Sequence, residues 1–369
     1  MTVSLCIIAY NEENVLESLL SQVKAQTFPH ELTELVLVDS GSDDNTKKIF
    51  LDFAEKYKNG YIDIKVLDNP KRSQAAGWNT AIKSAVGDVI IRLDAHAEIP
   101  VDFIEKNMEL IGTGEDVCGG SRPNRIDQPT PLKEMLFLAE SSMFGSSIAG
   151  YRRKTEEKKK YVSSLFHGAY RREVFAKVGG FNEDLGRTED NELHYRIRQA
   201  GYKICQGSDI ISYQHIRGDL PSMLKQKYGN GKWIGLTLGV CRECLSVFHF
   251  VPFVFVAMLI MTLTIFFIGI FMGIKIMLFP FIMLIGAYIL ADLLMTVAAV
   301  LTAEKKHPIQ ILLPFVFLLL HLSYGWGTIV GIAELPFWKS RLDGSAQKEI
   351  DNVRDCVIKN TSENVRGAD

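Results

Sequence analysis

The stretch SLCIIAYNEENVLESLLSQV, residues 4–23, is a short apolar run followed by apolar residues at helical spacing. This order repeats along the first 120 residues, with strands predicted at Val3–Ala9, Leu35–Val38, Ile62–Leu67 and Val89–Leu93, and helices at Asn14–Lys24, Asp44–Tyr57, Ala75–Val86 and Val101–Ile111. Strands that alternate with helices of this length are typical of βαβ units and a mainly parallel sheet. We therefore predict a doubly wound α/β fold, whose ligands bind beyond the carboxyl ends of the strands.

The C-terminal third has a different composition. Only five charged residues lie between residues 245 and 333, namely Lys275, Asp292, Glu304, Lys305 and Lys306. Apolar stretches at Val247–Ile274, Ile276–Ala303 and Pro308–Ala333 each exceed the roughly 20 residues that a helix needs to cross a bilayer core. We predict an α/β domain at 1–245, a transmembrane region of about three helices at 246–334, and a polar tail at 335–369.

Charge also predicts the orientation in the membrane. Lys305 and Lys306, and Lys232 and Arg242 before the first span, read as cytoplasmic by the positive-inside rule. The N-terminus has no cationic signal sequence, so the α/β domain is expected in the cytoplasm of a multi-pass inner or plasma membrane protein. Three crossings put the tail on the far side, but the positive charges at 339 and 341 oppose this. A re-entrant or interfacial stretch is the alternative, and the side of the tail stays open.

Composition excludes several classes of protein. The net charge of −2 and the pI near 6.5 argue against a nucleic-acid partner. The six cysteines are scattered and form no disulfide framework. The apolar C-terminal region excludes a wholly soluble enzyme.

Residues that follow the strands carry the chemistry. Residues 10–12 (Tyr-Asn-Glu) follow the first strand, Asp39 follows the second, and Asp94 and His96 follow the fourth. Asp39 suits a ribose or base, and the alternative is a helix cap, for which Asp43 and Asp44 are better placed. Asp94 and His96 can face one divalent metal that neutralises a departing diphosphate, and the alternative is a loop aspartate beside a surface histidine.

A second acidic site begins a predicted helix at Asp190–Ala200. Glu189 and Asp190 stand beside Arg187. Adjacent carboxylates raise each other's pKa, whereas a helix N-terminus and an arginine lower it. A carboxylate in this setting suits a general base for an alcohol, and the alternative is an ordinary acidic helix N-terminus.

Five segments in order resemble the family 2 glycosyltransferases, which have the GT-A fold: SLCIIAYNEENVLESLLSQV, VLVDSGSDDNT, NPKRSQAAGWNTAIKSAVGDVIIRLDAHAEIP, GAYRREVFAKVGGFNEDL and TEDNELHYRIRQAGY. The resemblance covers residues 1–235. With its apolar C-terminus and its histidine at position 96, the chain resembles the transferases of succinoglycan-type exopolysaccharide assembly.

The resemblance implies roles for individual residues. The implied donor-binding residues are Tyr10, Asn11, Glu12, Asp39, Arg72, Asn79 and Asp94. Asp190 would be the catalytic base, beside Glu189. Asp94 and His96 would hold Mn²⁺ or Mg²⁺, with His215 as a further candidate. His96 departs from the aspartate of the family's DxD motif, and imidazole suits manganese better than magnesium.

The acceptor side is less well defined. Candidates there are His167, Gln226, Tyr228 and Trp233. The last three lie where processive members carry a QxxRW motif, which this chain matches only in part. Packing in the core is the alternative for His167, and a place at the membrane interface is the alternative for the two aromatic residues.

The resemblance implies an inverting, metal-dependent hexosyltransferase. It would move a sugar from a nucleotide sugar, expected to be a UDP-hexose, to a polyprenyl-linked saccharide for an exopolysaccharide, capsule or other cell-surface glycan. Besides donor, acceptor and lipid bilayer, other membrane proteins of polysaccharide assembly are candidate partners. The alternatives are a polyprenyl-phosphate glycosyltransferase and a non-catalytic membrane scaffold with a degenerate transferase domain.

Overall fold

The computed structural model describes residues 1–145 and 156–366. The chain forms two compact units. The sheet unit comprises Met1–Pro123, Tyr151–Gln214 and Leu342–Asp369, and the helical unit comprises Asn124–Gly150 and His215–Arg341. This division differs from the one predicted at residues 245 and 334, because the polar tail belongs to the sheet unit and residues 124–150 belong to the helical unit.

The strands of the described residues are, in chain order, β1 (Val3–Ala9), β2 (Thr33–Asp39), β3 (Asp63–Asp68), β4 (Val89–Asp94), β5 (Ala97–Glu98), β6 (Val117–Ser121), β7 (Asn124–Arg125), β8 (Lys159–Val162), β9 (Gly168–Arg171), β10 (Ile204–Ile211) and β11 (Tyr213–His215). Eight of them form one sheet in the order β3-β2-β1-β4-β9-β6-β10-β8. The β3-β2-β1-β4 half is parallel throughout, and β9 runs antiparallel between β4 and β6. The predicted mainly parallel sheet is therefore confirmed.

The helices of the described residues are, in chain order, α1 (Glu13–Lys24), α2 (Thr46–Tyr57), α3 (Gln74–Ser84), α4 (Phe103–Gly112), α5 (Pro131–Ser141), α6 (Arg172–Val178), α7 (Glu189–Gln199), α8 (Leu220–Thr237), α9 (Val251–Met272), α10 (Phe279–Leu301), α11 (Leu313–Lys339) and α12 (Ser345–Arg366). Each helix predicted from the sequence is present with small shifts at its ends. The charged run at 154–160 is described only from residue 156, and its end forms part of β8.

Apolar patterning explains the order of these elements. Every residue of β2 and β4 is buried, as expected for parallel strands covered by helices on both faces. In α1 the buried residues Leu16, Leu19, Leu20 and Val23 form one helical stripe that packs into the same core as β1. The alternation of the two periods thus positions the strand ends at one edge of the sheet.

The C-terminal helix α12 is part of the sheet unit. Its apolar stripe consists of Ala346, Ile350, Val353 and Val357, each at most 4% exposed. Val353 and Val357 share a core cluster with Trp78 of α3. Charged residues surround the stripe, and the segment was therefore predicted to be a polar tail.

Polar contacts attach α12 to α3 and to the loop after α6. Lys83 Nζ lies 2.6 Å from Glu349 Oε1, and the amide of Asn360 donates to the Lys83 carbonyl at 3.0 Å. The backbone N–H of Gly180 donates to the Ile350 carbonyl at 3.2 Å. The helix is thus held at several points along its length.

The helical unit contains α5 and α8–α11. Three of its segments are long and apolar enough to cross a membrane: Val247–Met272, Lys275–Leu301 and Pro308–Lys339. The three apolar helices predicted from the sequence are confirmed in length and composition. Asp292 in α10 is buried and accepts a hydrogen bond from Thr296 at 3.4 Å, within its own helix.

Helices α8 and α11 pack through glycines on both sides. Gly231 and Gly235 of α8 face Gly327 and Gly331 of α11, each pair spaced four residues apart. A Cβ on Gly331 would lie 2.1 Å from the carbonyl oxygen of Lys232. Only glycine permits backbones this close, as in the small-residue contacts of membrane helices.

Candidate active site

Three neighbouring strands bring the predicted donor residues to one edge of the sheet. In the parallel register, Ala9 of β1 pairs with Asp39 of β2, and Ile8 of β1 pairs with Asp94 of β4. Both aspartates are buried. The two carboxylates therefore end the strands on either side of β1, from which residues 10–12 continue.

The turn after β2 is organised around Asp39. Its Oδ2 accepts hydrogen bonds from the backbone N–H groups of Gly41 and Ser42, both at 3.2 Å. Asp44, not Asp39, binds the start of α2, because its carboxylate accepts from the Thr46 N–H at 2.9 Å. Asp39 is thus not the helix cap, and it stays at the ligand edge of the sheet.

The turn after β1 forms hydrogen bonds with the turns after β2 and β4. Asn11 adopts a left-handed φ of 55°, and its side-chain oxygen accepts from the Asp43 N–H at 2.9 Å. Glu12 Oε1 lies 3.0 Å from His96 Nδ1. Burial lowers the pKa of His96, but Glu12 and the charge of Asp94 outweigh it, so the net shift is upward. Tyr10 is exposed beside this turn.

Asp94 is buried against an imidazole that the sequence analysis placed on the acceptor side. His167 Nε2 lies 3.4 Å from Asp94 Oδ2, and His167 Nδ1 lies 2.8 Å from Ser212 Oγ. Burial opposes ionisation of Asp94, but the hydrogen bond from His167 and nearby positive charge hold its pKa below the usual range. Burial also lowers the pKa of His167. Asp94 is therefore an anion next to a neutral imidazole.

The predicted metal ligands are only partly brought together. Within residues 1–145 and 156–366, no group of three or more histidine, cysteine, aspartate or glutamate side chains is arranged to hold a metal ion. His215 belongs to the helical unit, where its Nδ1 lies 2.8 Å from Asp127 Oδ1. Asp94 and His96 offer a carboxylate and an imidazole at one strand end, and this donor set fits a divalent ion such as Mn²⁺.

Arg72 and Asn79 differ in what their side chains contact. Arg72 is exposed at the turn after β3, where its Nη2 lies 3.5 Å from Asp43 Oδ1. Asn79 is fully buried in α3, and its amide group bonds to both backbone groups of Phe181 and to Glu183 Oε1. Asn79 therefore joins α3 to the segment before α7, and its donor role stays a prediction.

Asp190, at the start of α7, is paired with an arginine inside the sheet. Arg92 Nη1 donates to Asp190 Oδ1 at 2.5 Å. Arg92 is 1% exposed, and its guanidinium lies over the rings of Trp78 at 4.4 Å and Phe181 at 4.6 Å. The two aromatic rings hold the planar guanidinium in one orientation, and this orientation sets the direction of its hydrogen bond to Asp190.

The neighbouring carboxylate has a different environment. Glu189 is 3% exposed, and its burial, followed by the charge of Asp190, raises its pKa to about 8. At neutral pH Glu189 therefore keeps its proton, whereas Asp190 is the counter-charge of Arg92. The two adjacent acids are thus distinguished by their surroundings.

A buried polar chain lies near this pair. Tyr170 Oη lies 2.9 Å from His194 Nε2, and Ser164 Oγ lies 2.9 Å from His194 Nδ1. Burial lowers the pKa of His194 to about 4 and raises that of Tyr170 to about 12, so both are neutral. Neither this chain nor Arg92 was predicted from the sequence. An arginine within the apolar run VIIRLD was the available signal.

The remaining acceptor-side candidates lie on α8 of the helical unit. Trp233 packs edge-on against Trp338, with ring centroids 6.1 Å apart. The backbone carbonyl of Tyr228 faces Gly327 of α11. These contacts do not test the acceptor roles of Tyr228 and Trp233, which stay predictions. The acceptor role of Gln226 stays a prediction.

Comparison with known proteins identifies the family. The family model described as "Glycosyl transferase family 2" matches residues 4–179. The succinoglycan biosynthesis protein ExoA of Rhizobium meliloti (strain 1021) is 31% identical over 235 residues, which cover 63% of this chain and 68% of that protein. The chain belongs to glycosyl transferase family 2. It is therefore a glycosyltransferase, as the sequence resemblance implied.

Two further similarities extend over more of the chain. The dolichyl N-acetyl-alpha-D-glucosaminyl phosphate 3-beta-D-2,3-diacetamido-2,3-dideoxy-beta-D-glucuronosyltransferase of Methanococcus voltae is 24% identical over 342 residues, 89% of this chain and 97% of that protein. The crystal structure of S. aureus TarS 1–349 aligns with a TM-score of 0.49 and 18% identity, over 100% of this chain and 92% of that chain.

Proposed function

We propose that this glycosyltransferase is inverting and metal-dependent, and that it moves a hexose from a UDP-sugar to a polyprenyl-linked saccharide for a cell-surface polysaccharide. The observation that carries the proposal is the ion pair between Asp190 and Arg92, next to a protonated Glu189. This arrangement supplies one ionised carboxylate to act as a base.

The donor would bind at the carboxyl ends of β1, β2 and β4. Asp39 would accept hydrogen bonds from the nucleoside, with Tyr10, Asn11 and Glu12 forming the adjacent wall. Arg72 would reach the donor from the turn after β3. A divalent ion held by Asp94 and His96 would neutralise the charge of the leaving diphosphate when it is bound.

Asp190 would remove the proton from the acceptor hydroxyl. The resulting oxygen attacks the anomeric carbon from the side opposite the diphosphate, so one displacement inverts the configuration. Arg92 holds the carboxylate in place through this step. Glu189 stays neutral and adds no second negative charge to the site.

Two relatives and the apolar helices support a lipid-linked acceptor. The Methanococcus voltae relative, which is similar over most of this chain, is named for a dolichyl-linked amino-sugar phosphate, and the Rhizobium relative for succinoglycan biosynthesis. Three apolar helices would keep this chain beside the lipid. We place the catalytic domain on the cytoplasmic face of the cell membrane, where Arg242, Lys305 and Lys306 favour it.

A transfer assay tests the mechanism. Membranes with Mn²⁺ and radiolabelled UDP-hexoses are compared for wild type, Asp190→Asn and Asp209→Asn. The last variant makes the same chemical change on an exposed residue of β10. We expect wild type and Asp209→Asn to label the lipid fraction equally, and Asp190→Asn to lose at least about 100-fold, as for removal of a general base.

Other readouts separate the alternatives. Equal labelling by Asp190→Asn would contradict the assignment of the base. Mild acid releases the sugar from both kinds of lipid phosphate, and label released as a monosaccharide would indicate a polyprenyl-phosphate sugar instead of a diphosphate-linked saccharide. An α-linked product from an α-linked donor would refute inversion, and full activity in EDTA would refute metal dependence. No transfer by the wild type would favour the scaffold.

A further inference from the structure

The fold restricts how often the chain crosses the membrane. The sheet unit contains residues before the apolar region, up to Gln214, and residues after it, from Leu342 onward. Helix α12 is held there by the buried side chains of Ile350, Val353 and Val357 and by the ion pair between Lys83 and Glu349. Segments of one folded core lie on one side of a membrane. Residues 215–341 therefore leave and return on the same side, and the number of crossings is even.

Three apolar helices cannot all cross under this restriction. Helices α9 and α10 have 22 and 23 residues. At about 1.5 Å per residue they are roughly 33–35 Å long, enough for a hydrocarbon core of about 30 Å. Most of their side chains are exposed in the structure, with Phe271 at 94%. This is the expected appearance of helices whose surroundings are lipid.

The contacts between α9 and α10 are those of a hairpin. Phe266 packs on Phe281 with ring centroids 5.0 Å apart, and Phe255 stacks on Tyr288 at 4.4 Å. The helices thus run antiparallel on either side of a short turn that carries Lys275. A hairpin contributes two crossings and satisfies the even number by itself.

Helix α11 packs on α5 through its first half and on α8 through its second half. Its first half, at Leu313, Val316 and Phe317, packs against Met135 and Leu136 of α5. Helix α5 has 11 residues, about 16 Å, and is too short to cross. It therefore stays on the side of the sheet unit, from which the chain enters it.

The second half of α11 packs on α8. The hydroxyl of Ser323 donates to the Leu224 carbonyl at 2.8 Å, and Lys232 Nζ lies 2.7 Å from Glu334 Oε2. Helix α8 also carries Lys225, Gln226 and Lys227, and Lys227 forms a buried ion pair with Glu140 at 2.8 Å. A helix with these residues is a poor membrane span, since each charge at the bilayer centre costs about 2.5–3.5 kcal/mol on insertion scales.

The direction of α8 excludes four crossings. Contacts with α11 advance together along both helices, from Leu224 beside Ser323 to Gly235 beside Ile332. The two helices are therefore parallel. If α8, α9, α10 and α11 all crossed in succession, the first and fourth would be antiparallel.

We propose that α9 and α10 cross the bilayer as a hairpin, and that α11 stays with α8 at the membrane surface on the side of the sheet unit. Every charged residue flanking the apolar helices, except Lys275, is then on one side: Arg242, Glu243, Glu304, Lys305, Lys306, Glu334, Lys339 and Arg341. The conflict between three crossings and the positive charges after α11 disappears. The partner of the α8–α11 pair is the interfacial layer of the bilayer, beside which a lipid-linked acceptor presents its sugar.

Cysteine labelling tests the proposal. Cys244 and Cys356, whose side chains are partly exposed, are replaced by serine, and the other four cysteines are buried. Single cysteines are then placed at the exposed positions Asn59, Lys275, Lys306 and Ser340. A membrane-impermeant maleimide is applied to sealed right-side-out and inside-out vesicles. Labelling does not depend on sugar transfer, so it is independent of the proposed chemistry.

We expect Asn59→Cys, Lys306→Cys and Ser340→Cys to react at least about tenfold more strongly in one vesicle orientation, and Lys275→Cys in the other. If Ser340→Cys followed Lys275→Cys, α11 would cross and the proposal would be overturned. If Lys275→Cys followed Asn59→Cys, the hairpin would not cross, and the proposal would fail equally.

Discussion

Helix α12 is expected to contribute directly to the stability of the sheet unit, and Ile350→Ala measures this contribution. Ile350 is 4% exposed and packs beside the segment that joins α6 to α7. Truncating a buried isoleucine to alanine costs about 2–5 kcal/mol through lost burial and the cavity left behind. For a unit of this size each kcal/mol shifts the melting temperature by roughly 2–4 °C, so we expect a decrease on the order of 4–20 °C.

The same helix supplies the control. Ile358 is 49% exposed, and Ile358→Ala should change the free energy of unfolding by no more than about 0.5 kcal/mol. Both variants are heated in detergent and digested briefly, and the intact sheet unit is followed through an N-terminal tag. Equal melting temperatures for Ile350→Ala and Ile358→Ala would refute the inclusion of α12 in the core.

Three further variants test the site and the helix pair. Arg92→Met removes the cation that positions the Asp190 carboxylate, so the transfer rate should fall at least about 100-fold in a single-turnover assay, as for loss of a general base. Burial raises the pKa of Glu189 from 4.5 to about 8, so between these pH values the folded chain holds a proton that the unfolded chain loses. The free energy of unfolding should therefore fall as the pH rises from 4.5 to about 8. Glu189→Gln should flatten the accompanying decline in melting temperature. Gly331→Ala should destabilise the helical unit by about 1–3 kcal/mol through overpacking against Lys232, whereas Gly286→Ala, with open space beside it, should not lower its melting temperature.

The sequence predicted the sheet well because its signals are local. The apolar runs ending at Ala9 and Asp39 define parallel strands, and the helices between them repeat at 3.6 residues. The carboxylates after the strands were placed at the ligand edge by the same rule, and Asp39 and Asp94 are found there.

The features that were missed depend on contacts between distant segments. Arg92 meets Asp190 98 residues later, and neither neighbourhood indicates the other. The stripe from Ala346 to Val357 has helical spacing, but its charged surroundings gave it the appearance of a solvated tail. His167 lies beside Asp94 because β9 is inserted antiparallel next to β4, which periodicity does not predict.

The discontinuous sheet unit has a consequence for biosynthesis. The ribosome releases α12 only after the three long apolar helices have been made. Until then, the face of α3 and α6 that will receive Ile350 and Val353 stays uncovered, although the strands that present Asp39 and Asp94 already exist. Domains usually fold in order of synthesis. Here the nascent enzyme completes its core only after its membrane anchor has been translated, so chains cut short within the anchor carry an unfinished catalytic domain.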